Sequence, residues 1–110
     1  MNDPTAQAMP VVVKLPAEID VTNSGQVYSQ LVAVLEPGVD AVIADLTATS
    51  FCDSSGVHAI MHAHERAVAR GIGLRLAVSP GGSVRRVLQL TGVGDLMPVY
   101  PTLQEAMHAA

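Results

Sequence analysis

Cysteine is nearly missing from this chain. Cys52 stands alone among 110 residues, so no internal disulfide can staple the fold, a usage that fits a reducing, cytoplasmic setting. There is no tryptophan, one phenylalanine (Phe51) and two tyrosines (Tyr28 and Tyr100). A core must therefore be assembled from Val, Leu, Ile, Ala and Met. Charge is sparse and leans acidic: six Lys and Arg face ten Asp and Glu, for a formal net charge of −4. No run of basic residues occurs, which argues against direct nucleic-acid binding. No apolar stretch approaches the ~20 residues of a membrane-spanning helix. Residues 1–9 (MNDPTAQAM) have neither the positive start nor the apolar centre of a signal peptide. No repeat and no low-complexity tract is visible.

What is present fits one compact domain. The hydrophobic fraction is 49% and the mean hydropathy is +0.36, both unlike a disordered chain. Residues 1–9 read as a flexible terminus and residues 10–110 as a single domain.

Along the chain, the β-branched run at 11–15 predicts a strand, and 18–23 a polar connection. Val27, Leu31, Val34 and Leu35 recur at helical spacing and predict a helix over 24–35, capped by Thr22 or Asn23 and stopped by Pro37-Gly38. Residues 40–46 form a second strand, and their near-continuous apolar character points to burial on both faces of a parallel sheet. A long helix runs from Ser54 to about Arg70 and ends at Gly71, placed as a left-handed cap. A third strand covers 74–78 and a short helix 83–90, broken by Thr91-Gly92-Val93-Gly94. A fourth strand at 96–100, interrupted by Pro98, belongs at an edge. Thr102 caps a last helix through His108. Strands alternating with helices predict an α/β domain.

The stretch Ser50-Phe51-Cys52-Asp53-Ser54-Ser55-Gly56-Val57 lies where the second strand run feeds the long helix. The first N–H groups of a helix lack intrahelical partners, and the helix dipole presents its positive end there. Small hydroxyl residues at that place suit a phosphate, and they also suit plain helix capping by Asp53, Ser54 and Ser55. At roughly 100° per residue, Val57, Ile60, Met61, His64, Ala67 and Val68 fall on one side of the helix. Ser55, Ala59, His62 and Arg66 fall on the opposite, solvent side, with His58 at its edge.

Asp45-Leu46-Thr47 followed by Phe51-Cys52-Asp53-Ser54-Ser55-Gly56-Val57 resembles the signature of the STAS domain of bacterial anti-sigma factor antagonists. Leu15-Pro16-Ala17-Glu18-Ile19-Asp20 resembles that family's first conserved strand end, and Leu90-Thr91-Gly92-Val93 its third helix terminus. The similarity runs from about Val11 to about Ala106. It implies a small mixed, mostly parallel sheet with about four helices packed largely on one side. It also implies an additional strand before Val11, for which this sequence leaves little room.

Functionally, the resemblance implies an anti-sigma factor antagonist rather than an enzyme. The unphosphorylated form would bind an anti-sigma factor that is also a serine kinase, and so release a sigma factor. Phosphorylation of Ser55 would switch binding off, and a PP2C-type phosphatase would restore it, with no cofactor of the chain's own. Asp20 matches an acidic residue that lies near the phosphorylated serine and contributes to partner contact. Asn23, Asp53, Ser54, His58, Ala59 and His62 complete the expected partner-binding set. The alternative is a STAS scaffold or ligand-sensing module with no phosphorylation cycle.

Each candidate has a plainer reading. Asp20 and Asp53 also serve as turn or cap residues, and Ser54 is better used as a cap than as an acceptor. His58 and His62 have the i, i+4 spacing of zinc ligands on a helix, but no Cys or carboxylate at motif spacing completes a set, so no metal is expected. His64 projects to the apolar side as a hydrogen-bonded boundary residue. Cys52 occupies a strand-end slot as a small hydrophobe. Ser55, His58 and Asp53 make a triad only in composition, and the Gly-x-Ser-x-Gly elbow of a hydrolase is missing. Ser79-Pro80-Gly81-Gly82-Ser83 lacks the Lys of a P-loop and reads as a turn.

Overall fold

The computed structural model describes residues 10–109. Among these residues six strands and four helices follow one another: β1 Val11–Lys14, β2 Glu18–Ile19, α1 Ser24–Ala33, β3 Ala41–Asp45, β4 Phe51–Cys52, α2 Ser54–Ala69, β5 Gly73–Ala77, α3 Ser83–Thr91, β6 Val99–Tyr100 and α4 Leu103–His108. A 3₁₀ turn, Val93–Asp95, links α3 to β6. The main sheet has the order β1-β3-β5-β6, and β2 pairs with β4 in a separate two-stranded ribbon. Every pairing among the described residues is parallel. Parallel neighbours cannot be joined by hairpins, so α1, α2 and α3 serve as the crossovers between successive strands of the main sheet.

β3 is the spine. Its Val42 pairs with Val11 on one side and Leu74 on the other, and all five of its residues are buried. Alternation divides them between two layers. Val42 and Ala44 join the large core with Val27, Leu31, Val57, Ile60 and Leu76. Ile43 joins a small core with Ala77 and Ala106, beneath Tyr100 and Leu103. Three helices thus contribute to the large core, and α4 closes the opposite face, so the apolar run of β3 is what burial on both sides requires. Arg75 fastens α4 by donating from Nη1 to the Ala106 carbonyl at 2.9 Å.

Several expectations change. Residues 18–23 are not a connection throughout: Ile19 is buried completely and pairs with Cys52, which makes 18–19 a strand. The edge strand is shorter than 96–100, because Leu96 and Met97 donate back to the Val93 carbonyl and continue the 3₁₀ turn. β6 does lie at the sheet edge, where Pro98 needs no ladder donor. Asn23 is the N-cap of α1, but its side chain makes no capping bond. It bridges instead, accepting from the Asp20 N–H at 3.0 Å and donating to the Glu18 carbonyl at 2.8 Å. Gly71, next after the Arg70 C-cap of α2, has φ +72°, the left-handed conformation that glycine adopts without steric cost. The strand implied before Val11 lies outside the described residues.

The two-stranded ribbon exists to hold the start of α2. A Cβ built on Gly56 would stand 2.6 Å from Cys52 Sγ and 2.7 Å from Ile19 Cγ2. Both neighbours are buried, so neither side chain can swing clear. Gly56→Ala is therefore expected to destabilise the fold by ~1–3 kcal/mol, the usual cost of overpacking, although alanine is the better helix former. Urea unfolding measures this, and a stability equal to or above that of the parent would show that helix and ribbon are less tightly apposed.

Candidate functional site

At the C-terminal ends of β2, β3 and β4 the chain repeats one local device. An aspartate accepts, through a single oxygen, from the N–H and the hydroxyl of the residue two positions on. In Asp20–Thr22 the distances are 2.9 and 2.5 Å. In Asp45–Thr47 they are 3.0 and 2.6 Å, and in Asp53–Ser55 2.9 and 2.5 Å. Such aspartate turns give the chain a local hydrogen-bonded way out of a strand.

The third copy opens a helix. Asp53 is the N-cap of α2 and accepts from the N–H groups of Ser55 and Gly56, the latter at 3.2 Å. This satisfies two of the orphan donors at the helix start. Asp53, not Ser54, is the cap; Ser54 is the first residue of α2 and is exposed. The Asp53 N–H donates to the Ile19 carbonyl at 3.1 Å. That bond places the turn formed by Asp20 and Asn23 beside the start of α2. On the other flank, Ser83 Oγ donates to the Ser50 carbonyl at 2.9 Å and Ser79 Oγ to the Thr47 carbonyl at 3.0 Å. The glycine-rich loop is thereby tied to the same end of the sheet.

Ser55 is half-buried and faces a groove of about 350 Å³ between α1 and α2, which His58, Ala59 and His62 also line. His58 and His62 are exposed. Ala59 departs from the expected solvent stripe: it is 7% exposed, because α1 packs against that side of α2. Val57 is likewise buried, so neither offers exposed apolar surface. Val68, projected inward, is 59% exposed; the sheet covers only the inner arc of α2. His64 stays at the boundary, yet its Nδ1 is buried without a hydrogen-bond partner among the described residues. The groove's other wall, Ser24, Gly25 and Tyr28, went unnoticed in the sequence. The available signal was Tyr28, the only aromatic residue in a ten-residue helix with no charge.

The chemistry of the site favours a held hydroxyl. The Ser55 hydroxyl, foremost, holds the Asp53 carboxyl below its usual range; desolvation, the next effect in size, opposes it, and the N–H groups of Gly56 and Ser55 add lesser lowering effects. A carboxylate so held stays charged through the neutral range and is a weak proton acceptor. Among the described residues neither His58 nor His62 bonds the Ser55 hydroxyl, so no base is aligned as a triad requires. Burial, aided by the Asp53 charge, pushes the Cys52 thiol up to about 11, and at neutral pH the nucleophilic thiolate is scarce. Among the described residues no group of three His, Cys, Asp or Glu side chains converges on a metal position, and no helix is long and apolar enough to cross a membrane.

Fold and site together define a class: a small parallel α/β domain with two serines, Ser54 and Ser55, at an aspartate-capped helix start. The family follows from comparison. The STAS domain model matches residues 3–106, and the chain belongs to the STAS domain family. It is 30% identical over 102 residues to the anti-sigma-F factor antagonist RsfA of Mycobacterium tuberculosis, covering 90% of this chain and 78% of that protein. Among solved structures, an anti-sigma factor antagonist from Mycobacterium paratuberculosis superposes with a TM-score of 0.76 at 28% identity, over 86% of this chain and 80% of that one. The phosphorylated form of the Bacillus cell fate determinant SpoIIAA superposes with a TM-score of 0.58 at 27% identity, over 89% of this chain and 87% of that one.

Two outcomes follow from the local chemistry. Because the Ser55 hydroxyl is the foremost stabiliser of the Asp53 carboxylate, Ser55→Ala should raise the Asp53 titration midpoint measured by NMR. The sign is that of a depressed carboxyl: its contribution to stability is complete above the unfolded value and fades as pH falls through the folded one. Ser55→Ala should narrow that loss to a higher pH. An unmoved Asp53 midpoint would contradict the assignment. Separately, Cys52 should resist iodoacetamide at pH 8 in the folded protein and react promptly in urea; rapid labelling without urea would contradict its burial.

Proposed function

We propose that this chain is an anti-sigma factor antagonist whose unphosphorylated form binds an anti-sigma factor serine kinase and thereby frees a sigma factor. Ser55 is the residue modified. In the transfer, the γ-phosphorus of ATP bonds to Ser55 Oγ, the bond to the β-phosphate oxygen breaks, ADP leaves and the hydroxyl proton is released. A PP2C-type phosphatase hydrolyses the phosphoserine and restores the binding form. The relatives named antagonists of anti-sigma factors and the phosphorylated SpoIIAA neighbour support this reading.

The observation that carries it is the division of labour at the helix start. One Asp53 oxygen accepts from the Ser55 hydroxyl and also from the N–H groups of Ser55 and Gly56, and these two N–H bonds are the ones that cap the helix. Phosphorylation removes the hydroxyl bond and leaves the cap. It adds about −1.5 to −2 charges at a helix end that tolerates negative charge. The fold survives and a partner's surface meets the charge, so this is a switch of binding rather than of folding. The surface presented to the kinase includes Asp20, Asn23, Asp53 and Ser54 at the strand ends, with His58 and His62 along α2 and Ala59 in the groove floor.

The test is binding to a cognate anti-sigma kinase with and without ATP. Ser55→Ala should bind like the parent and acquire no phosphate by intact-mass spectrometry. Ser55→Asp should bind at least about tenfold more weakly, a difference of ~1.4 kcal/mol. Equal binding by both variants, or a phosphate mapped to Ser54, would overturn the proposal. A stable complex with no phosphorylation would favour a STAS scaffold or ligand-sensing module instead.

A further inference from the structure

We propose that the groove between α1 and α2 is the seat of the phosphoryl group on Ser55, with His58 and His62 as its counter-ions. This rests on the reading of Ser55 as the phosphorylated residue. The unmodified hydroxyl points at the Asp53 carboxylate. A phosphoryl group cannot keep that direction, because it has lost the donor proton and meets a like charge at close range. It must turn away, and the space Ser55 lines is the groove.

The groove is open and gives a group on Ser55 room to turn into. Its floor is small: Gly25 has no heavy atom within 4 Å of where a Cβ would stand, and Ala59 adds only a methyl. Ser24, Tyr28, His58 and His62 line its walls. His58 and His62 follow Ser55 by three and seven residues, one and two turns along the same stripe of α2.

The surrounding charges leave the histidines as the available cations. α1 carries no charged residue. On α2 itself, Asp53 lies at the N-terminal end, and Glu65 and Arg66 lie beyond His62. The carboxylate of Asp20 is engaged by Thr22, and Glu18 precedes it in β2. From the elements on the other side of α2, Arg85 and Arg86 of α3 line a separate cleft with Pro80, Gly81 and Gly82, and Arg75 of β5 is bonded to Ala106. Imidazoles gain their charge near neutral pH.

The experiment uses the full chain with phosphoserine incorporated at position 55 during translation, so that no kinase is involved. The ³¹P resonance is followed against pH in the parent and in a His58→Gln, His62→Gln double variant. Neighbouring imidazolium favours the dianion, so the second phosphate ionisation should lie lower in the parent, by about half a pH unit or more. A His58→Lys variant in the double-variant background should restore the low midpoint through its fixed charge. Both histidines are exposed, and an unchanged urea midpoint checks that the variants fold. Coincident ³¹P midpoints in parent and double variant would overturn the seat while leaving the Ser55 switch intact. Failure of a kinase to modify Ser55, in contrast, would remove the switch without bearing on the ³¹P result.

Discussion

The Asp53 carboxylate, held at the first turn of α2, is the interaction on which the functional end of the molecule depends. It closes the helix start and accepts the Ser55 hydroxyl, and those donors hold its carboxyl below the usual range. Its own N–H is bonded to Ile19 of the neighbouring strand, which locks the cap to the ribbon. Gly56 then allows the helix to approach Ile19 and Cys52 at a distance no other residue permits. The position of one hydroxyl is thus fixed by a cap, a strand end and a missing side chain acting together.

The rest of the fold is a stage for that end. A central strand buried on both faces carries the parallel sheet, and parallel order brings the C-terminal ends of β2, β3 and β4 together. The same aspartate turn, used three times, lets each strand leave the sheet without orphaned backbone donors. Only the third feeds a long helix whose exposed stripe bears histidines. That difference is why the proposed switch is placed on Ser55 and not on Thr22 or Thr47. The hydroxyls of Thr22 and Thr47 serve the same local bond, but neither residue stands in the first turn of a helix.

Much of this was legible in the residues. The continuous apolar run of β3 announced a strand covered on both faces, and Pro98 announced an edge. Gly71 and Thr102 marked helix ends because their roles are local, decided by backbone conformation and a single hydroxyl. The resemblance carried by Asp45-Leu46-Thr47 and by residues 51–57 pointed to the family. What escaped was decided between segments. Two-residue strands such as Glu18–Ile19 have no periodicity to read; they exist because Ile19 and Cys52 meet in space. Ala59 looked solvent-facing on a helical wheel because the wheel does not contain α1. The Tyr28 wall of the groove was missed for the same reason, since it becomes part of a site only when two helices pack. His64 was expected to be hydrogen-bonded, and tertiary packing instead left its Nδ1 buried and without a partner among the described residues.

The account's central claim is that charge is added to an unchanged fold. The most direct measurement is the ¹H–¹⁵N correlation spectrum of the chain phosphorylated on Ser55, compared with that of the unmodified chain. The account predicts retained dispersion, with shift changes confined to the first turns of α2, the Ser24–Tyr28 side of α1 and the adjoining strand ends. Changes spread through β3 and β5, or loss of the α2 amide signals, would contradict it and make phosphorylation a switch of folding.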